Sequence, residues 1–299
     1  MSARSAPPTA AAWAWDIVTE QAGRIAAEEQ GALIGSDPKY VHRMRVASRR
    51  LRSALRLLRE PLVSFIDESL LAGFDADLRA LASSLGDVRD QDVAQADLAM
   101  DAVHRPGDRP AIERLIVDWS LAVAPARGRL RDLIGGGLVE RIATFASGAY
   151  GATDTGPSAA RIAPRLIGRS LRKARRSYLD AEGDPIGLHG ARVAFKRLRY
   201  IAEFATPFFG DRLLAVREIA TAMQDALGSH HDDEIAIATL VHEIQRLAEI
   251  PDRAAECGAL ARAIGARRLR QQTSLESARS LWTRVPRAGT LRRQLEGTN

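Results

Sequence analysis

Cysteine and aromatic residues are scarce in this chain of 299 residues. Cys257 is the only cysteine, so no disulfide can form within the chain and we expect a reducing compartment. Aromatic residues make up 5% of the sequence, while alanine, leucine and arginine are abundant, which favours helices over sheet. No segment is long and apolar enough to span a membrane, and residues 1–12 lack the apolar core of a secretory signal. These absences predict a cytoplasmic all-α protein with a flexible tail at residues 1–12.

Lysine is scarce as well, so nearly all of the 43 basic residues are arginine. The formal net charge is +6 and the sequence pI is about 10.0. A base-composition bias in the genome would place arginine everywhere. Recognition of phosphate would instead favour arginine at sites where its planar fork can bind two oxygens. The positions of the arginines therefore have to distinguish these two explanations.

One segment of the chain occurs twice. Residues 42–52 read His-Arg-Met-Arg-Val-Ala-Ser-Arg-Arg-Leu-Arg, and residues 189–199 read His-Gly-Ala-Arg-Val-Ala-Phe-Lys-Arg-Leu-Arg. Each copy follows an Asp-Pro pair, which marks a helix start because Asp caps the first turn and Pro suits its first position. Leu-Gly-Asp-Val-Arg-Asp at 85–90 and Leu-Gly-Ser-His-His-Asp at 227–232 form a second pair. We interpret these repeats as an internal duplication with halves at residues 13–150 and 151–299.

Glycine and proline suggest where the individual helices end. They predict a helix over 13–34, a basic helix from Asp37 that Pro61 interrupts, helices over 111–123 and 125–134, and separate helices over 213–227 and 235–247. Gly86 and Gly228 are interpreted as helix ends, each followed by an Asp or Ser cap.

The basic residues of both copies follow helical periodicity. At about 100° per residue they fall within one quadrant of each helix, beside an apolar stripe that we expect to be buried. A third helix has the same spacing. The three basic stripes are His42, Arg45, Arg49, Arg52 and Arg56; His189, Arg192, Lys196 and Arg199; and Arg165, Arg169, Arg172 and Arg176. The first stripe spans about 20 Å, a length suited to a linear polyanion, although a solvated basic face is the simpler alternative.

The remaining polar residues do not predict a catalytic or metal site. A histidine near a helix start is more often structural than catalytic, but His42 and His189 share the quadrant of the arginines and can donate to phosphate oxygens. The cluster His-His-Asp-Asp-Glu at 230–234 has no histidine pair spaced by four residues, so we expect no metal. The sequence also shows no phosphate-binding glycine loop and no glycine-flanked serine nucleophile. We therefore expect no cofactor and no enzymatic activity.

The paired histidine motifs, with the paired Leu-Gly motifs, resemble the CHAD family, the conserved histidine α-helical domain. The resemblance covers most of the chain. It implies two pseudo-symmetric helical bundles around a basic central groove or pore that binds inorganic polyphosphate, with association to polyphosphate granules. The strand-rich triphosphate-tunnel domain to which the family is sometimes fused has no counterpart here, so the chain resembles the stand-alone form. The motif positions carried over are His42, Arg45, Arg49, Arg50 and Arg52, and His189, Arg192, Lys196, Arg197 and Arg199.

The motif and the basic stripes do not coincide fully, and the two copies are not identical. Arg50 and Arg197 belong to the motif but fall outside the basic stripes. Gly190 and Glu203 stand where the first copy has Arg43 and Arg56. The second copy of the motif therefore has fewer cations than the first, which predicts unequal contributions from the two halves.

Two other functions remain open. The stripes would also suit the backbone of a nucleic acid, but single-strand binders interleave stacking rings with cations, and only Tyr178, Phe195 and Tyr200 lie near the stripes. A phosphatase or phosphotransferase could use His42 or His189 as a phosphorylated nucleophile, although no acid partner is recognisable nearby in sequence.

Overall fold

A computed structural model describes residues 8–148, 150, 155–181 and 183–296, apart from the side chains at 122 and 123. In that part of the chain all regular structure is helical. The α-helices are α1 Ala10–Ala27, α2 Glu29–Ile34, α3 Pro38–Leu57, α4 Arg59–Leu62, α5 Glu68–His104, α6 Arg109–Gly135, α7 Leu138–Ser147, α8 Ala159–Leu179, α9 Pro185–Phe209, α10 Leu214–Ala248, α11 Ala254–Trp282 and α12 Ala288–Glu296. The all-α prediction is confirmed.

The two motif helices, α3 and α9, begin where the Asp-Pro pairs predict. The Asp37 carboxylate accepts a hydrogen bond of 2.9 Å from the backbone N–H of Lys39, and that of Asp184 accepts one of 2.8 Å from the N–H of Gly187. Proline occupies the first turn of both helices, where a missing N–H costs nothing. Local capping therefore fixes the start of the helices that carry the repeated motif.

The predicted helix ends at Gly86 and Gly228 are wrong. Helix α5 runs through Gly86 for 37 residues, and α10 runs through Gly228 for 35 residues. Glycine inside a helix costs about 1 kcal/mol, but buried leucine and valine side chains continue at helical spacing on both sides of Gly86. Burial of that continuous apolar face outweighs the local cost.

Other predicted boundaries also need correction. Helix α1 begins at Ala10, with Thr9 as its cap, so residues 10–12 of the predicted tail are helical, while residues 1–7 lie outside the described part. The predicted helix over 13–34 is divided at Glu28 into α1 and α2. The two helices predicted around Pro125 are one helix, α6, with the proline inside it.

The hydrophobic core is shared by the two predicted halves. The main core draws residues from α1, α3 and α7 of the first half and from α8 and α9 of the second. A second cluster joins the far ends of α5, α6, α10 and α11. The indole N–H of Trp13 donates to the carbonyl of Phe204 at 3.1 Å, which ties α1 to α9. The predicted boundary near residue 150 falls between α7 and α8, and the internal duplication stays an interpretation of the sequence.

Candidate anion-binding site

The predicted apolar stripes of α3 and α9 are buried, and this burial determines where the basic side chains of these helices lie. Met44, Leu51 and Leu55 on α3 are buried, as are Phe195 and Leu198 on α9. The basic side chains lie beside these stripes, partly exposed at the edge of the core. This confirms the prediction that the cations border the core.

Helices α3 and α9 bring four cations together, which we call the central cluster: Arg45 and Arg49 from α3, with Arg192 and Lys196 from α9. Burial lowers the pKa of Lys196 to about 7, and the neighbouring arginines add to this effect. Burial also lowers the pKa of Arg45, with smaller contributions from nearby arginines. Since like charges repel, the cluster is a site that an anion would stabilise.

Two carboxylates border the central cluster. Arg45 lies 3.3 Å from Asp90 of α5, and Arg192 lies 3.4 Å from Asp232 of α10. Both carboxylates are about two-thirds exposed, so solvent weakens these pairs. Among the described residues, neither Arg49 nor Lys196 has a carboxylate oxygen within 4.0 Å. The cluster therefore keeps an excess of positive charge.

Gly228 of α10 provides room for one member of the cluster. A Cβ at this position would lie 3.3 Å from Nε of Arg192, whereas a Cβ at Gly86, the aligned residue of α5, would meet nothing within 4 Å. The glycine of the second Leu-Gly motif thus allows close approach of a guanidinium to the helix backbone, instead of ending the helix.

Both motif histidines lie near the central cluster. Burial lowers the pKa of His42, and the positive charge of Arg89 on α5 lowers it further. Nδ1 of His189 lies 3.0 Å from Nε2 of His231 on α10. Burial lowers the pKa of His189, and the charge of His231 adds to this. Arg89 and His231 occupy aligned positions of the Leu-Gly motifs, and sequence reasoning missed both as site residues.

A second group of cations lies further along the same two helices. We call it the outer cluster: Arg52 and Arg56 of α3, with Arg197 of α9. Burial lowers the pKa of Arg197, and the charge of Arg56 lowers it further. Arg52 has its pKa lowered by burial and then by Arg56, and its Nε lies 3.6 Å from Asp75. Arg197, outside the basic stripe in sequence, therefore faces the stripe of the other helix.

Arg50 and Arg199 are held by the protein itself. Both pair with Glu203: Arg50 donates a hydrogen bond to it, and Nε of Arg199 lies 3.6 Å from its carboxylate. Their guanidinium groups also lie about 5 Å from the ring centre of Tyr200. Whether either residue binds a ligand stays a prediction, and any such contact competes with Glu203.

The third basic stripe lies on the solvent face of α8. Its four arginines are exposed, while Leu166, Ile167 and Leu171 on the other face are buried. Arg165 lies 2.6 Å from Glu60 and Arg176 lies 3.4 Å from Asp180. The membership of Arg165, Arg169, Arg172 and Arg176 in the site stays a prediction.

The aromatic residues near the stripes are engaged in packing. Phe195 and Tyr200 are fully buried, and Tyr178 packs on Trp282 with ring centres 4.6 Å apart. Among the described residues, no group of three or more His, Cys, Asp or Glu is placed to hold a metal ion. No described helix combines the length and apolarity that crossing a membrane requires.

Comparison with known proteins identifies similar chains. Residues 16–241 match the family model of the CHAD domain. The solved CHAD domain from the plant Ricinus communis is 24% identical, with a TM-score of 0.66 and 93% of each chain covered. PptA from Streptomyces chartreusis is 16% identical, with a TM-score of 0.69, 93% of this chain covered and 100% of the other. No curated protein matches significantly. At these identities the two structural matches show the fold alone.

Proposed function

The chain belongs to the CHAD family, and from this premise we propose that it binds inorganic polyphosphate without catalysing a reaction on it. The observation that carries the proposal is the central cluster, in which Arg45 and Arg49 of α3 lie near Arg192 and Lys196 of α9. The guanidinium group of an arginine can donate two parallel hydrogen bonds to two oxygens of a phosphate. A bound anion would also relieve the repulsion among these cations and favour the protonated form of Lys196.

The arrangement of the site favours a linear polyanion over a single phosphate. Cations continue from the central cluster to the outer cluster, and α3 alone covers about 20 Å between His42 and Arg56. Affinity should therefore grow with chain length until the row of cations is filled. It should also fall steeply with salt, because each neutralised phosphate releases counterions.

Calorimetric titration with phosphate, triphosphate and long-chain polyphosphate tests this proposal. We expect long chains to bind most tightly at equal concentration of phosphate units. Equal affinity for triphosphate and long chains would contradict an extended site. A salt series from 50 to 300 mM should give a linear fall of log affinity with log salt.

A nucleic acid is the competing ligand. Phe195 and Tyr200 are buried and Tyr178 packs on Trp282, so these rings offer no stacking surface for bases. Duplex DNA and RNA should therefore compete weakly with polyphosphate at equal phosphate concentration. Efficient displacement by either would favour a nucleic-acid function instead.

Absence of catalysis is part of the proposal and needs its own assay. His189 contacts His231, whose Nδ1 lies 3.5 Å from Glu234, so an acid lies closer to this histidine than the sequence suggested. We expect no phosphate release from polyphosphate, with or without Mg²⁺ or Mn²⁺. Release that disappears in His42→Ala or His189→Ala would establish a hydrolase or transferase.

Association with polyphosphate granules is the cellular counterpart of the proposal. A fluorescently tagged chain should form foci in cells that accumulate polyphosphate and should spread evenly in cells that cannot make it. An equal number of foci in cells with and without polyphosphate would contradict recruitment by polyphosphate.

A further inference from the structure

A cavity of about 530 Å³ lies beside the central cluster, where α5, α10 and α11 meet. Arg192 of the central cluster lines one side of it. Its volume is typical of pockets that bind small molecules. Apart from Arg192, the residues that line it belong to neither cluster of cations, so the proposed function leaves most of this cavity unused.

The charges in the wall of the cavity do not cancel. Five aspartates and three arginines line it. Each arginine lies close to one aspartate: Arg267 to Asp101 at 2.6 Å, Arg270 to Asp233 at 2.5 Å and Arg192 to Asp232 at 3.4 Å. Among the described residues, the two remaining carboxylates, Asp97 of α5 and Asp225 of α10, have no basic nitrogen within 4.0 Å. With His104 neutral, the wall therefore has an excess of two negative charges.

Hydrogen-bond acceptors in the wall are also incompletely used. Asp233 is only 5% exposed, and while its Oδ1 accepts a hydrogen bond from Arg270, its Oδ2 has no partner among the described residues. Oε1 of Gln224 is buried without a partner as well. Nε of Arg267 is the one buried donor of the described wall in the same state. A buried acceptor without a donor is unfavourable, so a ligand that carries several N–H groups would suit this wall.

We propose that the cavity binds a linear diamine or polyamine, with one ammonium group at Asp97, another at Asp225 and an N–H donated to Oδ2 of Asp233. Alkylammonium groups are charged at neutral pH, as a lysine side chain is. The methylene groups between them would lie against Val93 and Met100, the aliphatic side chains of the wall. The inference goes beyond the proposed function and does not require polyphosphate.

Other ligands fit the cavity less well. Arg267 and Arg270 are held by their aspartates, which leaves no free cation for an anion there. A single metal ion would fill little of the volume, and no group of three or more His, Cys, Asp or Glu among the described residues is placed to hold one. The formal net charge of the protein is +6, so a cation is not attracted by the overall field and needs a local site.

Calorimetric titration of the full chain at pH 7.5, without polyphosphate, tests the inference. Putrescine, a four-carbon diamine, and spermidine, a triamine, should each bind at one saturable site. Butylamine has the same carbon chain as putrescine but one ammonium group, and it should bind at least tenfold more weakly. Equal affinity for butylamine and putrescine would overturn recognition by two carboxylates. Displacement of spermidine by Mg²⁺ at an equal concentration of charge would also overturn the inference, because the site would then bind any small cation.

Variants at the unpaired carboxylates locate the site. Asp97→Asn with Asp225→Asn should weaken spermidine binding at least tenfold. Both side chains are exposed, so the fold should be kept, and circular dichroism checks this. Asp16→Asn with Glu276→Gln is the control, since it removes two exposed carboxylates that do not line the cavity, and it should change affinity by less than twofold. Normal binding by the first variant, or an equal loss in both, would overturn the assignment.

Binding of polyphosphate separates this inference from the proposed function. Asp97→Asn with Asp225→Asn should maintain or increase polyphosphate affinity, because it leaves the cations of the central cluster in place. If polyphosphate binds but spermidine does not, only this inference fails. If spermidine binds at the cavity but polyphosphate does not bind, the proposed function fails and the amine site stands.

Discussion

Nδ1 of His189 lies 3.0 Å from Nε2 of His231, so in the unliganded protein at most one of these two nitrogens carries a proton. Burial lowers the pKa of His189, and His231 and the cations of the central cluster lower it further. A phosphate placed nearby has the opposite effect, because an anion favours the charged imidazole. Anion binding and proton binding should therefore be coupled at this pair.

Polyphosphate binding should take up protons near neutral pH, and its affinity should rise as the pH falls from 8 to 6. Titration in two buffers of different ionisation enthalpy measures the uptake directly. His189→Gln should reduce the uptake between pH 6 and 7, while the part due to Lys196 remains. Binding without proton uptake in any buffer would contradict a role for these groups at the anion.

Lys196 should make the stability of the unliganded protein depend on pH. Its pKa of about 7 in the folded chain is below the ordinary value of 10.5, so between these values the unfolded chain binds more protons and the free energy of unfolding rises with pH. Below pH 7 both states are protonated and the full cost of burying the charge remains. Lys196→Met should stabilise the protein by about 1 to 2 kcal/mol at pH 6.5, and this difference should shrink by pH 9.5.

Urea denaturation at the two pH values measures this effect. Lys173→Met is the control, since it removes an exposed lysine and should change the free energy of unfolding by less than about 0.5 kcal/mol at either pH. A stabilisation by Lys196→Met that is equal at pH 6.5 and 9.5 would show that packing, and not the buried charge, is responsible.

Glu203 should contribute to stability more than to binding. It pairs with Arg50 and Arg199, and all three side chains are about one-fifth exposed. Glu203→Gln leaves two partly buried guanidinium groups without a carboxylate, so the free energy of unfolding should fall by about 1 to 3 kcal/mol. Polyphosphate affinity should be maintained or increase, because a competing anion is removed. Glu60→Gln, which breaks the exposed pair with Arg165, should cost less than about 1 kcal/mol.

Helical periodicity and capping predict the features that short segments determine. The Asp-Pro starts of α3 and α9 are local, and the apolar stripes repeat every three or four residues, so both could be read from sequence. The approach of Arg49 on α3 to Arg192 and Lys196 on α9 depends on how the two helices pack, which no local pattern specifies. The same packing decides that Arg50 meets Glu203 and that Arg197 faces Arg56, whereas the pair of Arg199 with Glu203 has the local spacing of four residues on α9.

The Leu-Gly motifs are a repeat that can be recognised from the sequence, but the helix ends predicted from them are wrong. Their repetition was visible, but local propensity suggested a helix end, because glycine and aspartate are common there. In the continuous helices the motifs instead place Arg89 and His231 beside the motif histidines, and Asp90 and Asp232 beside Arg45 and Arg192. The aligned charges at the ends of the motifs were the signal that could have identified these residues.

Gly228→Ala and Gly86→Ala form a matched pair of variants at aligned positions. The new Cβ at 228 would lie 3.3 Å from Nε of Arg192, whereas at 86 it would meet nothing within 4 Å. Gly86→Ala should stabilise α5 by up to about 1 kcal/mol and leave binding unchanged. Gly228→Ala should displace Arg192 and weaken polyphosphate binding two- to five-fold. Equal binding by both variants would show that the position of Arg192 is not critical.

Reversal of charge on both motif helices should have a larger effect than reversal on one. If contacts to a linear polyanion are distributed, each lost contact should cost about 1 to 2 kcal/mol and reduce the salt slope by roughly one unit. Arg45→Glu alone should therefore weaken binding moderately, and Arg45→Glu with Arg192→Glu should nearly abolish it. Circular dichroism should show unchanged helicity, because these side chains border the core without filling it.

A control of equal net charge separates local contacts from the overall field. Arg109→Glu with Arg293→Glu changes two exposed arginines outside the motif helices and alters the net charge by the same amount. Since exposed charges further apart than a Debye length, about 10 Å in 0.1 M salt, are largely screened, this variant should retain most of the affinity. If both double variants bind equally well, the central cluster is structural, and the arginines at 127–131 of α6 and 262–270 of α11 become the next candidates. If both lose binding equally, attraction depends on net charge instead of a built site.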